Sequence, residues 1–214
     1  MKFTNGEMHF LNTLSDNKGM PGVFLEPVKA DKEFIDSTVE SLQKKGIIDE
    51  EGQITELGLA PIQAMKFYKN AKEHLVLNDM SLARVDNGFI TISRTDKEHD
   101  IVIIDSFVLV LLFLDNFQYL RGGKGFLEQD EIKVEKYSDH EFIKNSDYWE
   151  EYLMFEKYEE GRKVSNWLYY AYHGKGYVYH KDTQISEQLD PRQMGIRLLE
   201  ECGVADWNLK KEER

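Results

Sequence analysis

Six histidines, one cysteine, a lysine set among glycines and two acidic clusters are the side chains of this sequence with the types to do chemistry. The lysine lies in Arg121-Gly122-Gly123-Lys124-Gly125-Phe126. A phosphate loop needs a glycine, four residues and then Gly-Lys-Ser/Thr at a strand-to-helix turn, where backbone amides cradle the phosphates. Here Gly125 follows Lys124 and the segment comes after an apolar helical run, so it reads as a solvated loop. The histidines are His9, His74, His99, His140, His173 and His180. A helical zinc-protease site needs two histidines four apart around a glutamate, and His140-Glu141 is followed by Lys144 instead. His173 and His180 flank a hairpin and could approach each other across it, but two ligands make no closed site. Asp49-Glu50-Glu51 and the cluster from Glu128 to Glu131 lack the alternating ligands, central glycine and terminal glutamate of a calcium loop, and read as solvated turns. Cys202 follows Glu200 and Glu201, the wrong field for a reactive thiolate, and reads as a small buried side chain. One cysteine also allows no internal disulfide. The serines sit in no nucleophile elbow. The expectation is a protein without cofactor, metal or catalytic residues, and not an enzyme.

The one anomaly of composition is an aromatic band of eleven residues between Tyr148 and Tyr179. Aromatics on a sheet stack single-stranded bases when a basic groove accompanies them. This band instead contains Glu150, Glu151, Glu156, Glu159 and Glu160. Strand alternation puts Trp167, Tyr169 and Ala171 on one face, and Leu168, Tyr170 and Tyr172 on the other. With both faces apolar, one should meet the core and the other a helix or a partner. Trp167 and Tyr169 are candidate partner contacts, because Trp and Tyr suit protein interfaces.

The elements that position these residues follow from pattern. Met8, Leu11 and Leu14 recur at helical spacing within Gly6–Leu14, and Gly19, Pro21, Gly22 and Pro27 then make an irregular stretch. Asp31 or Asp36 starts a helix with Phe34, Ile35, Val39 and Leu42 on one side, and Gly46 ends it after two lysines. Ile47-Ile48 is a brief extended piece and Glu51-Gly52 a turn. Thr55 caps a helix to about Ala71 with Leu59, Ile62, Met65 and Phe67 as apolar surface, and Pro61 marks a late start or a kink. From His74 the period becomes that of strands: LVLND, SLARV, GFITISR and DIVIID, separated by Asn78-Asp79, Asp86-Asn87-Gly88 and Asp96 to His99, an antiparallel meander. The run DSFVLVLLFLDNFQYL reads as a largely buried helix through Tyr119. Asp139 to Ser146 is helical. Strands follow at Tyr152–Glu159, Ser165–His173 and Lys175–His180, and Asp190-Pro191 opens a helix through Cys202. Strands followed by a helix thus occur twice. The expectation is an α+β fold, one domain over 1–214 with pseudo-repeat halves of about 1–125 and 126–214, its strands in a central antiparallel sheet flanked by helical layers.

Composition bounds the partners. The chain has 214 residues, 41% hydrophobic and 12% aromatic, enough for a packed core. Asp and Glu outnumber Lys and Arg by 39 to 27, and the net charge of −12 repels phosphate backbones. The longest apolar run, Phe107–Leu114, is far short of the roughly 20 residues that span a bilayer, and the N-terminal stretch lacks the apolar core of a signal peptide. A cytoplasmic protein with no stable membrane insertion and no nucleic-acid partner is expected.

Three segments carry a resemblance. They are LQKKGIIDEEGQIT with the helix after it, the hairpin ARVDNGFITISRTDKEHDIVIID, and the C-terminal WLYYAYHGKGYVYHKDTQISEQLDPRQMGIRLLEE. In their order along nearly the whole chain they resemble the EspG-like cytosolic chaperones of type VII (ESX) secretion, including the EsaE-type proteins of Gram-positive bacteria. The resemblance implies a pseudo-twofold α+β fold with a central antiparallel sheet. It implies a non-enzymatic role: holding a helical secretion substrate soluble and export-competent in the cytoplasm, with the secretion ATPase as a second partner. It also implies that a loop between strands of the first half touches the substrate, together with part of the C-terminal half. Here that loop is Thr95, Asp96, Lys97, Glu98, His99 and Asp100, whose charges would steer a partner at a rim.

The alternative is a winged-helix DNA-binding regulator, with the helix from Thr55 to Ala71 as its recognition helix. Lys66, Lys69 and Lys72 give that helix a basic end. Recognition helices read bases chiefly from their N-terminal half, however, and here that half is Glu56-Leu57-Gly58-Leu59-Ala60-Pro61, acidic and apolar.

Overall fold

Thr4 ends a strand and begins a helix in the same residue. Its hydroxyl accepts from the amide of Glu7, and the Glu7 carboxylate accepts from the amide of Thr4, the reciprocal box that fixes a helix start. The computed structural model of the chain describes residues 1–16, 18–86, 88–122 and 133–204. The Gly-Lys loop beyond Gly122, the Glu128–Glu131 cluster and the central residue of the Asp86-Asn87-Gly88 turn lie outside the described residues. Contacts divide the chain into two compact units, Met1–Asp105 with Tyr158–Arg162, and Ser106–Lys157 with Lys163–Arg214.

The first unit runs β1 (Lys2–Thr4), α1 (Asn5–Leu14), α2 (Lys32–Lys44), α3 (Glu56–Asn70), β2 (Glu73–Leu77), β3 (Met80–Val85), β4 (Gly88–Thr95) and β5 (Glu98–Ile104). Its strands are antiparallel in the order β1-β5-β4-β3-β2. Three tight connections set the register: Leu77 pairs with Met80, Val85 with Gly88, and Thr95 with Glu98. Strand β1, too short to show a pattern, pairs Thr4 with Glu98 and Lys2 with Asp100. Asp31 caps α2 and Thr55 caps α3, each through its side chain, and α3 passes through Pro61 without ending. Helix α3 lies on strands β3, β4 and β5 and also meets α1, which packs on α2. Between helices and strands sit Phe3, Met8, Leu11, Leu42, Ile62, Met65, Tyr68, Ile90 and Ile92. Gly58 is required at the start of α3, because a Cβ there would collide with the carbonyl of Ile47. Ile35, Leu59 and Phe67, expected on apolar faces, are exposed, since the inward stripes of these helices are narrower than their apolar content. The hairpin tip Tyr158–Arg162 joins this unit where the Glu160 amide donates to the Lys72 carbonyl at 2.8 Å.

The second unit carries α4 (Ser106–Asn116), a 3-10 turn (Gln118–Gly122), β6 (Val134–Lys136), α5 (Asp139–Lys144), β7 (Glu151–Glu159, its last two residues in the first unit), β8 (Arg162–Tyr172, from Lys163), β9 (Lys175–His180), β10 (Ile185–Leu189) and α6 (Pro191–Glu201). The strand order is β7-β8-β9-β10-β6. Asp190 caps α6 in a box with Gln193, with Pro191 in the first turn. Strand alternation sends Trp167, Tyr169 and Ala171 toward α6, and Leu168 and Tyr170 toward α5. There Phe142 stacks on Tyr179 at 3.7 Å and meets Tyr170 edge-on at 5.4 Å. Both faces of β8 are therefore packed within the unit over Leu168–Ala171, while Trp167 stays half-buried. Helix α4 differs from the expectation of a largely buried helix. Only Leu109 and Phe113 are buried along it, one turn apart, while Phe107, Val108 and Leu111 are exposed. A continuous apolar run does not specify how many of a helix's sides are covered. The chain is an α+β protein of antiparallel strands with flanking helices, as its sequence pattern indicated.

Candidate partner-binding site

Loop Thr95–Asp100 is the tip of the β4–β5 hairpin. Asp96 takes a left-handed conformation (φ 53°), which aspartate tolerates better than most residues, and the turn closes on Thr95 paired with Glu98. Thr95, Asp96 and Lys97 are exposed, Glu98 and Asp100 half-buried, and His99 buried. Asp100 holds the terminal ammonium of Met1 at 2.9 Å. His99 is held below the usual histidine range, first by burial and then by Arg94, against the opposing charge of Glu26. It is neutral near pH 7 and belongs to the floor of the site.

The hairpin forms one end of an open groove of about 910 Å³ in the first unit. One wall is the start of α1, Thr4, Asn5 and Gly6. The other is a single face of α2, Phe34, Ser37, Thr38 and Ser41, at the i, i+3, i+4, i+7 spacing of one helical stripe. Arg94, Asp96, Lys97 and His99 come from the hairpin, and Glu26 from the irregular stretch before α2. Gly6 lets α1 approach α2 at the base of the groove, since a Cβ there would lie 2.8 Å from Phe34 Cζ and 2.9 Å from Thr38 Oγ1. Glu26 is fixed on three sides. Its backbone exchanges hydrogen bonds with the Asn5 side chain at 2.8 and 3.0 Å, His9 Nε2 lies 2.9 Å from its carbonyl, and its carboxylate meets Arg94 at 2.5 Å. Behind the groove, Glu7 is fully buried. It accepts from Ser41 at 2.8 Å and pairs with Lys45 at 2.6 Å, which ties α1 to the end of α2. Charges of both signs, serine and threonine hydroxyls and one aromatic ring line the groove.

Trp167 and Tyr169 belong to the second unit and are not among the residues lining this groove. Trp167 is half-buried, with Arg197 5.0 Å above its ring and Phe155 at 6.0 Å. Tyr169 is fully buried and presents no surface to a partner, which corrects the expectation of a direct contact; its ring packs edge-on to Phe155 and Trp167. His173 and His180 do not approach each other. His173 sits at the β8–β9 turn, while His180 pairs with Trp167 at the far end of the same hairpin. Among the described residues no group of three or more His, Cys, Asp or Glu could hold a metal ion. Cys202 is buried, as expected of a free cysteine.

The groove wall on α2 escaped sequence reasoning. Ser37, Thr38 and Ser41 look like any solvated helix face, and the only available signal was that they share a stripe with Phe34. The DNA-binding alternative gains no support from the fold. Helix α3 lies along the sheet, and Lys69 at its basic end is spent on the end of α1, donating to Asn12 O at 2.9 Å and to Ser15 O and Oγ at 2.8 Å.

The fold is similar to that of a solved chain in the structure of the Mycobacterium tuberculosis type VII secretion system chaperone EspG5 in complex with the PE25–PPE41 dimer. The TM-score is 0.53 at 12% identity, over 92% of this chain and 94% of that one. The EspG-like fold indicated by the sequence is thereby shown. No curated protein sequence matches the chain. A family model matches residues 1–189, and the chain belongs to the family that this model describes, Domain of unknown function (DUF5081).

Proposed function

We propose that this protein is a non-enzymatic chaperone or adaptor of a type VII secretion system. It binds a helical secreted protein in the cytoplasm of a Gram-positive bacterium and keeps it soluble and export-competent. The observation that carries this reading is the fold shared with the EspG5 structure over nearly the full length of both chains, in a complex where that chaperone is seen with a PE25–PPE41 dimer. The groove at the β4–β5 hairpin supports it. Thr95, Asp96 and Lys97 stand exposed at the rim, Glu98, His99 and Asp100 support the tip, and the α2 stripe offers a lining of hydroxyls around Phe34. The net charge of −12 supports a protein partner over nucleic acid. Trp167 supplies a second contact in the C-terminal part of the chain, and the secretion ATPase is a further partner in this scheme. No helix among the described residues is long and apolar enough to cross a membrane, which agrees with a soluble carrier.

Affinity purification from the native host at endogenous level tests the proposal. The expected result is a stoichiometric complex with a small helical secreted protein, whose cytoplasmic pool becomes insoluble when the chaperone gene is deleted. Recovery of the chain alone, or of duplex DNA with it, would falsify the reading.

A further inference from the structure

Beneath α6 two side chains reach for one carboxylate oxygen. Arg197 donates to Glu187 Oε2 at 2.6 Å, and His180 Nε2 lies 3.7 Å from the same oxygen, buried and without a hydrogen bond. The Arg197 guanidinium also lies 5.0 Å above the Trp167 ring, and the His180 ring meets Trp167 edge-on at 4.9 Å. Arg197 therefore ties α6 to two strands at once, to β10 through Glu187 and to β8 through Trp167. Met194 and Leu198, fully buried, add apolar anchors for α6.

We propose that Trp167, His180, Glu187 and Arg197 form a proton-operated latch on α6. When His180 takes up a proton, its Nε2–H competes with Arg197 for Glu187 Oε2 and its charge repels the guanidinium. The second half of α6 then loosens from β8 and β10. The proton comes from solvent and returns to it, and no bond other than N–H forms or breaks.

The charges around His180 come from each element packed on it. Glu187 of β10 and Asp182 of the β9–β10 turn favour the protonated ring, and Arg197 of α6 opposes it. Tyr169 of β8 lies on the same face, with Arg197, Glu201, Cys202 and Glu187 around it. Burial and Arg197 prevail over the two carboxylates and hold His180 below the ordinary histidine range. Burial raises Glu187, but Arg197 outweighs it and keeps that carboxyl ionised as the contested acceptor. A histidine held low in the closed latch binds protons more readily once the latch opens, so acid favours the open form below about pH 6.5. This inference does not rest on the proposed secretion role.

Hydrogen exchange of the full chain at about pH 7.5 and about pH 5.5, corrected for intrinsic chemistry, reads the latch directly. The protection of the amides of Ile196–Glu201 should fall at the lower pH relative to β8, by up to about tenfold, because pH 5.5 lies about one pH unit below the ordinary histidine value at which the open latch takes up its proton. His180→Gln should keep that protection constant. Equal protection at both pH values in the wild type, or the same fall in His180→Gln, overturns the latch. A titration of the His180 ring by carbon-13 NMR in the unmodified protein needs no variant. Its midpoint should coincide with the loss of α6 protection, and a midpoint apart from that loss also overturns the proposal.

Discussion

Glu7 places a carboxylate where no surface is exposed, and the fold answers it with the Thr4 amide, the Ser41 hydroxyl and the Lys45 ammonium. Lys45 in turn donates to the Lys2 carbonyl at 2.8 Å and lies 5.5 Å from the Phe3 ring centre. Breaking a buried pair by removing one partner costs about 3–5 kcal/mol, and the part-exposed lysine brings Lys45→Met down to about 2–3 kcal/mol. Urea unfolding should show that loss as a lower midpoint at unchanged slope. His74 gives a second prediction. Its Nε2 lies 2.8 Å from the Tyr68 carbonyl, its Nδ1 is buried without a partner, and burial lowers its pKa against the pull of that carbonyl. Stability from the neutral ring is complete above the unfolded value. As pH falls below about 6.5 the unfolded chain takes a proton that the folded chain refuses, at up to about 1.4 kcal/mol per pH unit. The urea midpoint of the wild type should therefore drop more between about pH 7.5 and about pH 5.5 than that of His74→Gln; parallel drops would contradict the assignment. Residue types alone did not reveal either site. Glu7 read as one more acidic residue in an acidic chain, whereas Cys202 beside two glutamates was legible.

At the scale of elements, the legible parts were those with a local physical signature. Thr55 and Asp190 cap the helices they were expected to start, Asp31 rather than Asp36 caps α2, and the meander from His74 to Asp105 follows its turns. Strands β1 and β6, three residues each, are too short to show a period, and β10 alternates among polar residues, so only their pairing partners define them. Helix α4 shows the opposite failure, a strong apolar signal whose burial depends on neighbours the sequence does not name. The groove was legible by half. The charged hairpin tip stood out, while the α2 stripe looked like solvent-facing helix. Gly58 tests the close approach of α3 to the Ile47 carbonyl. Gly58→Ala should cost about 1–3 kcal/mol, the usual range for overpacking a filled site. A thermal midpoint equal to the wild type would show that the helix start can shift freely.

For the whole molecule, the proposed function and the acidic net charge bear on how a partner would be captured. Exposed rim charges act on association more than on the bound lifetime. Reversing both signs at the hairpin with Asp96→Lys and Lys97→Glu leaves the net charge unchanged. It should slow association roughly tenfold at low salt, an effect fading above about 0.5 M salt as screening shortens; stopped-flow binding with the purified partner reads it. On the proposed function, this groove receives a helical secreted protein. Hydrogen exchange on the complex isolated from the native host tests it most directly. New protection is expected at Thr95–Glu98 and along the Phe34–Ser41 stripe of α2. A bound partner that leaves both segments exchanging as in the free chain would contradict it.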